Sequence, residues 1–156
     1  MVRLADLHEA ERKAQLDKIP PLKQRFTGRP WVKPPALAKA RIAIITTAGL
    51  HRKGDRPFGP RATDYRIITG GTPAAALVMS HQSVNFDRSG FQEDHNVAFP
   101  IDRLRELARE GVVGSVADFH YSFMGATDVE KLEPKAAELA GLLKKDRVDA
   151  VLLSPV

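Results

Sequence analysis

The sequence predicts an α/β fold, Rossmann-like, with a mostly parallel sheet, flanking helices and an incomplete last layer. Three observations predict it. Two segments, RIAIITT (41–47) and VDAVLLSPV (148–156), are apolar almost throughout and only strand-long, the pattern of strands covered on both faces. From residue 96 onward, strand and helix signals alternate, as in βαβ units. The final apolar run then stops with no covering helix after it. A parallel strand so placed is expected to be central or nearly so, and the chain is expected to be cut short at the edge of its site, since sites in open α/β sheets lie beyond the carboxyl ends of the strands. An uncovered strand face also predicts poor stability and a tendency to associate.

The elements follow in order. Residues 3–18 read as a short amphipathic helix with Leu4, Leu7, Glu11, Ala14 and Lys18 along a mixed face, ended by Pro20 and Pro21. Pro20 to Pro35 holds five prolines and Gly28 and reads as an extended strap, with Trp31 as its anchor. Arg41–Thr47 is the clearest strand, β-branched and closed by Ala48–Gly49. Asp64–Thr69 alternates, as an edge strand or hairpin arm does, and Gly70–Gly71 breaks it. Another apolar run begins at Ala75–Ser80. Pro100 to Glu110 is a helix whose apolar face is Ile101, Leu104, Leu107 and Ala108, with Gly111 as its left-handed stop. A strand falls within Val112–His120. A helix over Glu133–Lys145 tolerates Pro134 in its first turn and places Lys144, Lys145 and Arg147 near its negative end.

Domain organisation follows from charge. Residues 1–41 carry ten Lys/Arg against four Asp/Glu, and the rest carries fourteen against fifteen, so the net charge of +5 belongs to the start of the chain. Residues 1–40 read as a basic, Pro-rich arm with a short helix. Residues 41–156 read as an α/β domain truncated at its C-terminal end. Arg25, Arg29, Lys33 and Lys39 lie among prolines with only Phe26 and Trp31 near, and no RNP-type or helix-turn-helix pattern accompanies them. A solvated or partner-facing arm is therefore expected, and no nucleic acid. The absence of cysteine leaves no disulfide framework and no Cys-ligated zinc. No apolar stretch approaches membrane-span length and no secretory pattern opens the chain, so a cytoplasmic protein is expected.

The candidate chemistry sits at strand ends. His51 follows RIAIITTAGL, His81 follows AALVMS, His95 lies in EDHN and His120 ends SVADFH. Loops at one sheet edge converge, so His51, His81 and His120 are expected to meet near Val156 as catalytic residues. An imidazole serves as base, donor or metal ligand, and the pattern alone does not choose. Ser122–Phe123–Met124–Gly125, directly after His120, offers a hydroxyl and backbone donors. Asp87, Asp94 and Asp118 are candidate acid–base carboxylates with no fixed pairing. A metal set of His51, His81, Asp94 and His120 is conceivable, but no HxH or HExxH spacing fixes it, and no metal is expected. Gly70–Gly71–Thr72–Pro73 lacks both phosphate-loop signatures and reads as a turn.

Five stretches, RIAIITTAGLH (41–51), SHQSVNFD (80–87), EDHNVAFPIDRLRELAREGVVG (93–114), HYSFMG (120–125) and VDAVLLSPV (148–156), together resemble the selenoprotein B family of the glycine, sarcosine, betaine and D-proline reductases. The resemblance spans most of residues 41–156 and is loose before them. It implies selenocysteine, or cysteine, immediately after Val156, so that Ser154, Pro155 and Val156 adjoin the nucleophile. A selenocysteine codon UGA read as a stop, or a chain deliberately cut, would account for the end at Val156. The implied reaction is reductive cleavage of a C–N bond alpha to a carboxylate. A pyruvoyl group on a partner subunit, a dithiol or selenoprotein reductant, a small amine or amino-acid substrate and an oligomeric complex are implied with it. Asp94, Asn96, Ser122, Met124 and Gly125 would bind substrate beside the three histidines. No cofactor is expected in the chain itself. A non-catalytic α/β binding or scaffold domain, and a His/Asp metal-dependent enzyme, are the other readings.

Overall fold

The computed structural model describes residues 3–18, 32–83, 86–127 and 129–156, and the chain forms two compact units, Met1–Lys33 and Pro34–Val156. In the first, a 3-10 turn at Leu4–Asp6 precedes helix α1 (Glu9–Lys18), whose side chains are exposed where described, Leu16 included. Trp31, Phe26 and most of the expected strap lie outside the described residues.

The second unit runs β1 (Arg41–Thr46), β2 (Leu50–Arg52), β3 (Arg66–Thr69), β4 (Leu77–Met79), α2 (Ser89–Glu93), α3 (Ile101–Arg109), β5 (Ser115–Val116), β6 (Phe119–Ser122), α4 (Val129–Lys145) and β7 (Ala150–Ser154). The main sheet is mixed and mostly parallel: β1 pairs in parallel with β5, β6 and β7, and β3 closes one edge antiparallel to β6. A separate antiparallel pair joins β2 to β4. This is an α/β architecture, as expected, with Asp64–Thr69 supplying the edge strand.

The hydrogen-bond alternation along β1 fixes what lies on each side. Ile42 and Thr46 accept from Ala117 and Phe123, whereas Arg41 accepts from Asp149 and Thr47 donates to Ser154. Since backbone groups point to opposite sides at successive residues, β5 and β6 share one side of β1 and β7 takes the other. The strand expected within 112–120 is thus two short segments, interrupted at Ala117 and Asp118. The interruption removes a backbone acceptor opposite Ile44, and the His120 ring fills the gap: Ile44 N–H donates to its Nδ1 at 3.0 Å.

One expectation is corrected here. β7 is not central; among the described strands it pairs with β1 alone and forms the second edge. Its Leu152 and Leu153 are 40% and 67% exposed. The two-faced apolarity of VDAVLLSPV is real, but the other side of β1 is already occupied by β5 and β6, and no described strand reaches the outer side of β7. Pro134 is likewise displaced: α4 begins at Val129, so the proline falls in the second turn rather than the first.

Two cores sandwich the sheet. Ile42 and Ile44 pack with Leu50, Ile68, Phe99, Ile101 and Leu104 on the α3 side. Tyr121, Phe123 and Leu139, with Ile45 and Tyr65, form the α4 side. The alternation Ile42, Ile44 against Ile45 is the period-two pattern of a strand covered on both faces. Helix α3 ends as its sequence predicts, at Gly111 with φ +74°. At the carboxyl end of α4, Asp146 is clasped by Arg41: Nη2 lies 2.6 Å from Oδ1, and Nε donates to the Asp146 carbonyl at 2.8 Å. Burial alone would raise the Asp146 carboxyl pKa, but bonds from Arg41 and from the Phe119 and Asp118 amides hold it below the usual carboxylate range. The clasp pins α4 to the amino-terminal edge of the sheet.

Candidate functional site

At the carboxyl end of the sheet, the chain beyond β7 continues alongside the loop after β1. Thr47 Oγ1 accepts from the Val156 amide at 2.8 Å and faces the Val156 carbonyl at 3.3 Å. Gly125 lies directly over this junction, donating its amide to the Thr47 carbonyl at 2.8 Å. A Cβ at position 125 would stand 2.7 Å from the Val156 oxygen and 2.9 Å from the Thr47 oxygen, so only glycine permits so close an approach. Beside the junction opens a pocket of about 220 Å³ lined by His81, Ser83, Phe86, Gly125, Ala126 and Val156.

His81 is its polar wall. The residue is 5% exposed and its ring packs against Phe86 with centroids 5.0 Å apart. Ser83 N–H donates to Nδ1 at 3.2 Å, and Nε2, fully buried, has no partner among the described residues. Burial, and then the nearby positive charge of Arg88, lower the pKa of the ring, so it is neutral at pH 7. Arg88 in turn donates Nη2 to the His81 carbonyl at 2.5 Å.

The other expected site residues are placed elsewhere. His51, in β2, has both ring nitrogens engaged, Nε2 with Ser80 Oγ at 2.7 Å and Nδ1 with the Arg52 carbonyl at 2.9 Å. It therefore braces the strand that leads to His81 and does not line the pocket. His120 lies within β6 rather than at a strand end. It is fully buried with its ring edge-on to Phe99 at 5.5 Å, and burial lowers its pKa to about 4. The expected convergence of all three histidines near Val156 is thus corrected to one, His81, because the interruption between β5 and β6 draws His120 into the sheet.

Asp94 and Asn96 form a capping network. Asp94 accepts from the Asn96 amide at 2.9 Å and side chain at 2.8 Å, bonds that hold its carboxyl below the usual range. Asn96 Oδ1 accepts from the Asp102 amide at 3.0 Å, capping the start of α3, and His95 Nε2 meets the Asp102 carboxylate at 3.2 Å. These residues set the entry angle of α3 and are absent from the pocket wall. Ser122 is wholly buried and accepts from the Leu50 amide at 2.7 Å; Met124 is wholly buried in the core. Ser154 donates to the Ala98 carbonyl at 3.0 Å, fixing the end of β7 to the loop before α3. Asp87 accepts from Ser89 at the start of α2. No group of three or more His, Asp or Glu gathers as a metal would require among the described residues.

Thr47, Ser83, Phe86 and Ala126 were not singled out by sequence. Thr47 was legible only as the last residue of a strand, and Phe86 only as part of SHQSVNFD. The signal that would have found them is adjacency in space, which the β1–β7 register supplies.

Residues 18–156 match the family described as glycine/sarcosine/betaine reductase selenoprotein B, and the chain belongs to that family. It is 35% identical over 116 residues to the D-proline reductase subunit gamma of Acetoanaerobium sticklandii, covering 72% of this chain and 47% of that protein. It is 34% identical over 143 residues to the glycine reductase complex component B subunit gamma of Symbiobacterium thermophilum, covering 88% of this chain and 31% of the relative. A sarcosine reductase complex component B subunit beta of Peptoclostridium acidaminophilum is 32% identical over 143 residues, with coverage of 88% and 31%. The chain therefore spans between 31% and 47% of the length of these relatives. No solved structure matches it. No helix among the described residues is long and apolar enough to cross a membrane.

Proposed function

We propose that residues 41–156 form the wall of the nucleophile pocket in a substrate-specific, selenoprotein B-type reductase subunit, the first part of a larger Rossmann-like domain. The nucleophile, selenocysteine or cysteine, is the residue immediately after Val156. The observation that carries this reading is the fastening of Val156 by Thr47 beside the pocket that holds His81. A residue following Val156 leaves the sheet at its carboxyl end, where an α/β site is expected.

Such a selenolate or low-pKa thiolate supplies a nucleophile, ionised near neutral pH, for the carbon alpha to a substrate carboxylate; the C–N bond breaks with its electron pair on nitrogen, and a dithiol furnishes the two electrons of the net reduction. The substrate is a small amine or amino acid, held on the amine side by the pyruvoyl group of a partner subunit within an oligomeric complex. This chain's own residues position and enclose. Thr47 and Gly125 fix the backbone at Val156, and Phe86 and Ala126 keep bulk water from the reacting centre.

The nucleotide sequence following the Val156 codon tests the reading. An in-frame UGA or cysteine codon followed by coding sequence that continues the family pattern is the expected result. A UAA or UAG followed by unrelated sequence would contradict it and leave a binding or scaffold domain.

A further inference from the structure

Of the three buried histidines, only His81 both lines a cavity and keeps a buried ring nitrogen, Nε2, without a partner among the described residues. His51 has spent both nitrogens on Ser80 and Arg52. His120 also has a buried Nε2 without a partner among the described residues, but that nitrogen sits under Gly70, where a Cβ would lie 3.7 Å from it, and the ring is sealed against Phe99. At His81 the tautomer is fixed by the main chain. Because Ser83 N–H donates to Nδ1, that nitrogen holds a lone pair, and a neutral ring then carries its proton on Nε2. A buried N–H with no acceptor bears the full desolvation cost of an unmade hydrogen bond, and native interiors rarely keep one without a purpose.

The remaining lining selects what that donor meets. Phe86, Gly125, Ala126 and Val156 offer an aromatic face, two small residues and an apolar side chain. A carboxylate has two oxygens to satisfy and would be poorly served by a single N–H. A large, polarisable single-atom anion is better matched: it needs few directed bonds and makes favourable contacts at an aromatic edge.

We propose that His81 is the hydrogen-bond donor of this pocket, its Nε2–H holding a thiolate or selenolate, in the longer protein that of the residue following Val156. The inference rests on the reading above for the source of the anion, but the donor itself is a property of this chain. Its consequence is a lowered pKa at the nucleophile, through preferential bonding to the charged form.

Two measurements test it separately. Long-range nitrogen–proton NMR on the 156-residue chain at pH 7 should show His81 as the neutral Nε2–H tautomer, and an Nδ1–H or doubly protonated ring would overturn the assignment. In the longer protein carrying cysteine after Val156, the rate of alkylation by iodoacetamide is followed against pH. His81→Phe should raise the thiol pKa by about one unit, lowering the rate at pH 7 about tenfold. His81→Gln, whose amide nitrogen can reach the Nε2 position, should stay within about threefold of the parent, while His81→Asn, whose amide reaches only the Nδ1 position, should resemble His81→Phe. Should His81→Phe fail to fold, the Gln and Asn pair decides. Identical pH profiles for parent, Gln and Asn variants would overturn the proposal. Shifted profiles in a protein without reductase turnover would uphold the donor and remove the reductase reading, so the two fail distinguishably.

Discussion

Lowering the pH from 7 to 4.5 should cost this fold about 3 kcal/mol of stability, and His120 should account for most of it. Its ring is wholly inside the sheet and takes a proton only near pH 4, whereas an unfolded histidine does so near 6.5. Above pH 6.5 both states hold it neutral and the fold keeps its full stability. As pH falls from about 6.5 towards 4, the unfolded chain gains a proton that the folded one refuses, and stability declines across that window; below it no further loss comes from this group. His81, also lowered by burial, adds a smaller contribution of the same sign. The lowered carboxylates, Asp146 among them, are shifted in the same direction, and their contribution is lost only as pH falls further, through the ordinary carboxylate range and below. Urea unfolding at pH 7 and pH 4.5 reads the difference. His120→Asn, whose Oδ1 can still accept from Ile44 N–H, should be less stable at pH 7 through the lost ring volume but nearly flat across the window. A parent protein with equal stability at both pH values would refute the assignment of His120 as a neutral, gap-filling residue.

Gly125→Val should destabilise the fold by roughly 3 kcal/mol or more, and should displace Val156 in doing so. The added carbon meets two main-chain oxygens, of Val156 and Thr47, at 2.7 and 2.9 Å, and neither is the mobile end of a side chain. Relief must come from breaking the Gly125–Thr47 hydrogen bond or from pushing the end of β7 away. In the longer protein, misplacement by about 1 Å at the reacting residue is enough to cost on the order of 100-fold in turnover. Gly141→Val, on an exposed stretch of α4 where a Cβ meets nothing within 4 Å, is the control and should be neutral or slightly stabilising, because valine is a better helix former than glycine. Equal thermal stability of the two variants would show that the close approach at Gly125 is not a constraint.

Much of the fold was legible in the chain. RIAIITT announced β1 because a strand buried on both faces must be apolar at successive residues, and Gly111 announced the end of α3 because a left-handed residue was needed there. What the chain did not announce was long-range pairing. The edge position of β7 depends on which side of β1 is already filled, and local hydrophobicity cannot report that. The burial of His120 depends on an interruption between β5 and β6, visible in sequence only as a single apparent strand. The site was half legible for the same reason. His51, His81 and His120 were equivalent as sequence signals, and only their hydrogen-bond partners separate them: Ser80 and the Arg52 carbonyl for His51, the Ser83 amide for His81 and the Ile44 amide for His120. Asp94 and Asn96 look like site residues in the linear motif because EDHN is polar and precedes a helix; a cap requires the same composition.

Turnover of the longer protein is the most direct measurement of the central claim. With its partner subunit and a dithiol, the form carrying selenocysteine or cysteine immediately after Val156 should release ammonia or amine from glycine, sarcosine or betaine, or open the ring of D-proline to a primary amine that stays on the product, in at least one case. The same protein with serine at that position should release none, because a neutral hydroxyl does not displace an amine from a saturated carbon. Dithiol-dependent release that survives the serine replacement, or that is already present in the 156-residue chain, would contradict the placement of the nucleophile beside Val156.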